Sequence, residues 1–176
     1  MSNFNEALED DKAILAFILL PKMYAQNESK EAFLEKWNNS KTYLIQVAEA
    51  MPEEFYDYKP TEREMTFSKQ LLHIQSNMNW LANSYFSSEK KDEAETKTPK
   101  TKAEIITILK NSFDQVYKKV ENTPMEDLKT KVEFFAGPKT KYQILNLLQD
   151  HVTHHRAQIL VYLNLKQITP PSYVGW

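Results

Sequence analysis

Thr140-Lys141-Tyr142-Gln143-Ile144-Leu145-Asn146-Leu147-Leu148-Gln149-Asp150-His151-Val152-Thr153-His154-His155-Arg156-Ala157-Gln158-Ile159 reads as the opening of one long helix. Thr140 and Gln143 have capping-box spacing, in which each side chain satisfies a free backbone N–H of the other residue. Ile144, Leu148, His151, His155, Ile159 and Leu163 then recur at three- and four-residue steps, the signature of one helical face. The pattern ends near Lys166, ahead of Pro170 and Pro171.

Three further segments carry the same kind of stripe. Phe33, Trp37, Leu44, Val47 and Ala48 mark a first helix, with Ser29 as its expected cap and Met51-Pro52 as its end. Thr66 is the expected cap of a second, striped by Leu71, Ile74, Met78, Leu81, Ala82 and Tyr85. Thr101 and Glu104 form a capping box for a third, followed by Ile105, Ile106, Leu109, Phe113, Val116 and Val120. Pro60 to Glu64 is expected to hold one short turn with a Thr61/Glu64 capping box, and Lys131 to Phe135 a brief extended segment. The charged stretch from Ser87 to Pro99 reads as a solvated loop. Four amphipathic helices that must bury one face each predict an all-α four-helix bundle. The connections are long enough for at least one to be a crossover.

Composition agrees and excludes several functions. The chain has 176 residues, enough for one domain with a sizeable core, and only two glycines, which disfavours hairpin-rich β folds. Lys and Arg number 22 against 24 Asp and Glu, with no basic block, so no nucleic-acid partner is expected. Cysteine is absent, which removes disulfides, thiolate ligands and a cysteine nucleophile.

Residues 1–30 form an N-terminal extension to a domain spanning 31–176. The apolar run Ala13 to Leu20 is too short to span a bilayer. It has the size of a signal-peptide core, with Ala25 as a cleavage residue, which would make the protein exported or periplasmic. Glu6, Glu9, Asp10 and Asp11 precede it where an export signal has positive charge, which favours a short packed helix and a cytoplasmic protein.

The histidines carry the chemistry. The chain has four, and His151, His154 and His155 stand together. His151 and His155 lie one turn apart, in phase with the stripe, so both imidazoles point one way. A single histidine on such a face is usually a hydrogen-bonded core residue. Two converging imidazoles need compensation, and a shared cation supplies it. His73, on the second helix beside Asn77 and Trp80, is the remaining donor for a three-histidine site with room for water or substrate. Its place beside the stripe puts that site at the bundle edge. His154 falls off the stripe and is taken as flanking. No glutamate follows His151, so the zinc-peptidase pattern is absent. Arg156 is expected to form a structural salt bridge, with Asp150 for example, or to steer an anionic substrate. Trp80, Tyr85 and the tail aromatics are expected to pack.

Thr66-Phe67-Ser68-Lys69-Gln70-Leu71-Leu72-His73-Ile74 resembles the first metal-ligand helix of the DinB/YfiT-like family. His151-Val152-Thr153-His154-His155-Arg156-Ala157-Gln158 resembles that family's common H-x-x-H-H-R-G-Q pattern, with Ala157 in place of glycine. The ending Ile168 to Tyr173 is similar too. The resemblance implies an up-down-down-up bundle, often a homodimer. It also implies a divalent metal, zinc or nickel, held by His73, His151 and His155. The activity implied is a thiol-dependent transferase or isomerase using a low-molecular-weight thiol; a metal ion that activates water in place of a thiolate would make the chain a hydrolase of another small-molecule substrate. Many relatives are of no known activity, so the alternative is a non-catalytic, stress-related or binding bundle with a structural metal or none.

Overall fold

Three threonines set where three of the long helices begin. In the computed structural model, which describes residues 28–87 and 101–176, helix α1 covers 28–50 and α2 covers Phe67–Tyr85. Helix α3 covers Lys102–Asn122, a one-turn α4 covers Met125–Leu128, and α5 covers Lys141–Leu165. The Thr66 hydroxyl accepts from the Lys69 N–H at 3.2 Å and starts α2. Two of the three predicted capping boxes are present: Thr101 with Glu104 on α3, and Thr140 with Gln143 on α5. The first helix differs from expectation. It is already helical at residue 28, so Ser29 lies within the helix and not at its cap position. Its end ahead of Met51-Pro52 is as predicted.

Cross-helix hydrogen bonds fix the directions. Along α1 and α3, Lys30 Nζ donates to the Thr123 carbonyl, Trp37 Nε1 to that of Phe113, and Lys102 Nζ to that of Met51. Rising numbers on one helix meet falling numbers on the other, so the pair is antiparallel. Between α2 and α3, Gln75 meets Ser112 and Lys119 meets Asn83, so these two are parallel. Gln70 meets Gln158 and His73 meets His151, which makes α2 and α5 antiparallel. Gln149 donates to Ser40 at 2.8 Å, and Arg156 lies over Tyr43, so α1 and α5 are parallel. The order is up-down-down-up, and the crossover falls between α2 and α3.

The predicted stripes form the core. Trp37, Leu44, Leu71, Ile74, Met78, Leu109, Phe113 and Leu148 are fully buried. Full burial of side chains this size stabilises by roughly 1.5–3 kcal/mol each. Residues 61–64 make a backbone turn, Glu64 N–H to the Thr61 carbonyl at 3.2 Å, without the predicted capping box. After α3 come α4 and a two-strand hairpin, so the extended segment expected over Lys131 to Phe135 is a strand at Lys131–Val132 only. The strands are β1 (Lys131–Val132) and β2 (Lys139–Thr140), antiparallel, with Lys131 opposite Thr140. Gly137 sits in the hairpin turn at φ +85°, a conformation that suits glycine. Helix α5 ends with Gln167 in the left-handed region at φ 59°. The Gln167 N–H donates to the Asn164 carbonyl and that of Ile168 to the Leu163 carbonyl, both at 2.9 Å, which completes a Schellman motif. The tail docks where expected: the Tyr173 ring meets the Tyr43 ring edge-on, and Val174 packs on the core. Among the described residues no helix is long and apolar enough to cross a membrane. The N-terminal run Ala13 to Leu20 and the charged stretch beyond Ser87 lie outside the described residues, apart from Ser87 itself.

Candidate metal centre

The antiparallel register of α2 and α5 brings His73, His151 and His155 to one point. One ring nitrogen from each lies within 4.8 Å of the other two, and among the described residues this group consists of these three side chains. The Nε2 atoms of His73 and His151 are 3.2 Å apart. The three rings form a near-equilateral triangle, with the His73 centroid 4.9 Å from that of His151 and 4.6 Å from that of His155, and the last two 4.5 Å apart. His155 is buried, while His73 and His151 are half-buried, so the site sits at the edge of the bundle.

Hydrogen bonding fixes one tautomer. His155 Nδ1 lies 2.6 Å from Gln70 Oε1, an atom that only accepts, so Nδ1 carries the proton and Nε2 keeps its lone pair. The Gln70 amide is held in turn, since its Nε2 donates to Gln158 Oε1 at 2.7 Å and also faces the Tyr162 hydroxyl at 3.4 Å. Tyr162 donates to the Met65 carbonyl at 2.9 Å, just before α2. Gln158 Nε2 donates to His154 Nε2 at 2.9 Å. His154 is therefore exposed and turned to its own helix, as its place off the stripe predicts.

Burial, reinforced by the neighbouring histidines, pulls His151 and His155 down to a pKa of about 4 each. Both imidazoles are neutral at pH 7, the form that ligates a cation. The set fits a divalent ion. In a tetrahedral site with bonds of 2.0–2.1 Å, ligand nitrogens stand ~3.3 Å apart, close to the His73–His151 separation. His151 Nδ1 is buried and has no hydrogen-bond partner.

Arg156 is a correction. It is 5% exposed and makes no ion pair; its guanidinium lies 4.7 Å above the Tyr43 ring. It faces α1, away from the histidines, so neither Asp150 nor a substrate at the centre is its partner. Burial lowers its pKa from the ordinary arginine value. Trp80 is exposed and stacks on Phe134 and Phe135 of the hairpin, so it packs, but at the surface. Gln70 and Tyr162 escape the sequence reading. The signal for Gln70 is a polar residue three before His73, on the same helical face.

An up-down-down-up bundle with three imidazoles gathered from two antiparallel helices defines a class of helical proteins with a metal-competent edge. The chain belongs to the DinB family, whose profile matches residues 23–173. The uncharacterized protein YjoA of Bacillus subtilis is 22% identical over 121 residues, covering 67% of this chain and 78% of YjoA. The crystal structure of that DinB-like protein superposes with a TM-score of 0.69 at 20% identity, covering 81% of this chain and 96% of YjoA. A DinB-like protein from Bacillus cereus gives the same TM-score and identity, covering 82% and 97%. At this identity the likeness to the two structures is one of fold.

Proposed function

We propose that the chain is a metal-dependent enzyme of the thiol-dependent transferase or hydrolase kind, with His73, His151 and His155 holding a divalent ion, zinc or nickel. The observation that carries this reading is the convergence of three ring nitrogens within 4.8 Å. Such an ion, when bound, lowers the pKa of a coordinated water or thiol and makes it nucleophilic near neutrality. The chain's own part is to fix the ligands. Gln70 holds the His155 proton, Tyr162 and Gln158 hold Gln70, and the partly exposed His73 leaves the centre open to a small molecule. With no cysteine in the chain, a sulfur nucleophile has to arrive as cosubstrate.

Elemental analysis of the native protein and of His151→Ala tests the assignment. The native chain is expected to hold about one ion and the variant almost none. A variant that keeps its ion refutes the site. The same reading takes residues 31–176 as the folded domain and the protein as a cytoplasmic homodimer. Sedimentation equilibrium and the mass of the natural N-terminus test the last two.

A further inference from the structure

Five buried side-chain atoms among the described residues lack a hydrogen-bond partner: Asn77 Oδ1, Tyr142 Oη, Gln149 Oε1, His151 Nδ1 and Arg156 Nη1. Gln149 and Arg156 face α1, where Ser40 and Tyr43 meet them. Tyr142 stands at the start of α5, more than two turns before His151. The two that remain, an acceptor on α2 and a nitrogen on α5, share the seam that holds the metal centre.

Their placement follows from the register. On α2, Gln70, His73 and Asn77 are spaced by three and four residues and lie on one face. The His73 ring meets both the His151 and the His155 ring, which also meet each other. The helices are antiparallel, so one turn back from His73 lies beyond His155 and one turn forward lies beyond His151. The seam therefore alternates as Gln70, His155, His73, His151, Asn77. At one end the amide-to-imidazole bond is made, Gln70 to His155 at 2.6 Å. At the other end the same two groups are both buried and both unpartnered.

We infer that Asn77 is the positioning residue for His151, taking its Nδ1 proton as Gln70 takes that of His155, so that both rings turn Nε2 toward one cation. This rests on the metal-centre reading above. An imidazole that ligates through Nε2 carries its proton on Nδ1, and a buried N–H seeks an acceptor. A rotation of the Asn77 side chain supplies its amide oxygen. Such outer partners set ring orientation and raise ligand basicity.

The test is zinc affinity, measured by chelator competition on the full chain, for wild type, Asn77→Leu and Asn77→Asp. Asn77→Leu removes the acceptor and is expected to weaken zinc binding about 10–100-fold. Asn77→Asp keeps an acceptor and is expected to restore affinity to about the wild-type level or better, a rescue that a packing role would not give. A long-range ¹⁵N–¹H spectrum of the zinc-loaded wild type is the second measurement, and it decides alone if Asn77→Leu does not fold. A protonated Nδ1 on His151 with zinc at Nε2 supports the assignment; zinc at Nδ1 overturns it. Unchanged affinity in Asn77→Leu overturns it too, while the metal centre stands. A wild type that takes up no zinc overturns both.

Discussion

The two antiparallel seams of this bundle are built from opposite materials. Between α1 and α3 the central contact is Trp37 against Phe113, ring centroids 4.8 Å apart, both fully buried. The single polar atom of that contact, the indole nitrogen, donates to the Phe113 carbonyl at 3.1 Å. Between α2 and α5 the corresponding level holds three histidines and two glutamines, and two polar atoms there are left without partners. The first seam gains free energy from apolar burial. The second keeps neutral imidazoles that burial disfavours from charging.

That contrast can be broken at several points. The largest effect is expected from Trp37→Ala, which should cost about 3–5 kcal/mol in denaturant unfolding, since it empties the apolar seam. Zinc added to about 100 times its dissociation constant should stabilise the wild type by about 2.7 kcal/mol and leave His73→Ala unmoved. Equal stabilisation of both would detach the ion from the polar seam.

Acid should act on the polar seam as well. The folded pKa of His151 and His155 is about 4, below the ordinary histidine value of 6.5. As pH falls from about 6.5 the unfolded chain takes up protons that the folded chain refuses, so stability is lost progressively down to about pH 4. Above pH 6.5 these two groups contribute no slope. Chelator-treated wild type should show this loss in its Tm, and His151→Ala/His155→Ala should show a flatter profile over the same range.

Smaller effects sharpen the comparison at the helix ends. Thr140→Ala should cost about 1 kcal/mol, because α5 loses its capping box. Gln167→Gly should gain about 0.5 kcal/mol, the relief of a left-handed glutamine less the added freedom of the unfolded chain. Both are read from urea midpoints.

What the sequence shows about this fold is mostly what is local. Thr101 with Glu104 and Thr140 with Gln143 are contacts over three residues, and both boxes form. The stripes are legible because burial follows a fixed period, and His151 and His155 share a face for the same reason. The missed contacts all cross between helices. Gln70 meets His155 only because α2 and α5 run antiparallel in one register, and nothing within α2 specifies that register. Arg156 lies over Tyr43, a residue that the first-helix stripe leaves out, so an ion pair was the expectation where an aromatic face is the partner. The single turn of α4 and the two-residue β2 are too short to leave a periodic signal, while β1 falls within the extended segment expected over Lys131 to Phe135.

The bond from the Tyr162 hydroxyl to the Met65 carbonyl has a consequence beyond its own strength. A helix pair can slide in steps of one turn, about 5.4 Å, with little change in how its ridges and grooves mesh. Such a step would bring Gln70 or Asn77 into the berth of His73 and scatter the three nitrogens. By pinning the residue just ahead of one helix's cap to the far end of its neighbour, Tyr162 works as an index mark, admitting one setting out of several that packing alone would tolerate.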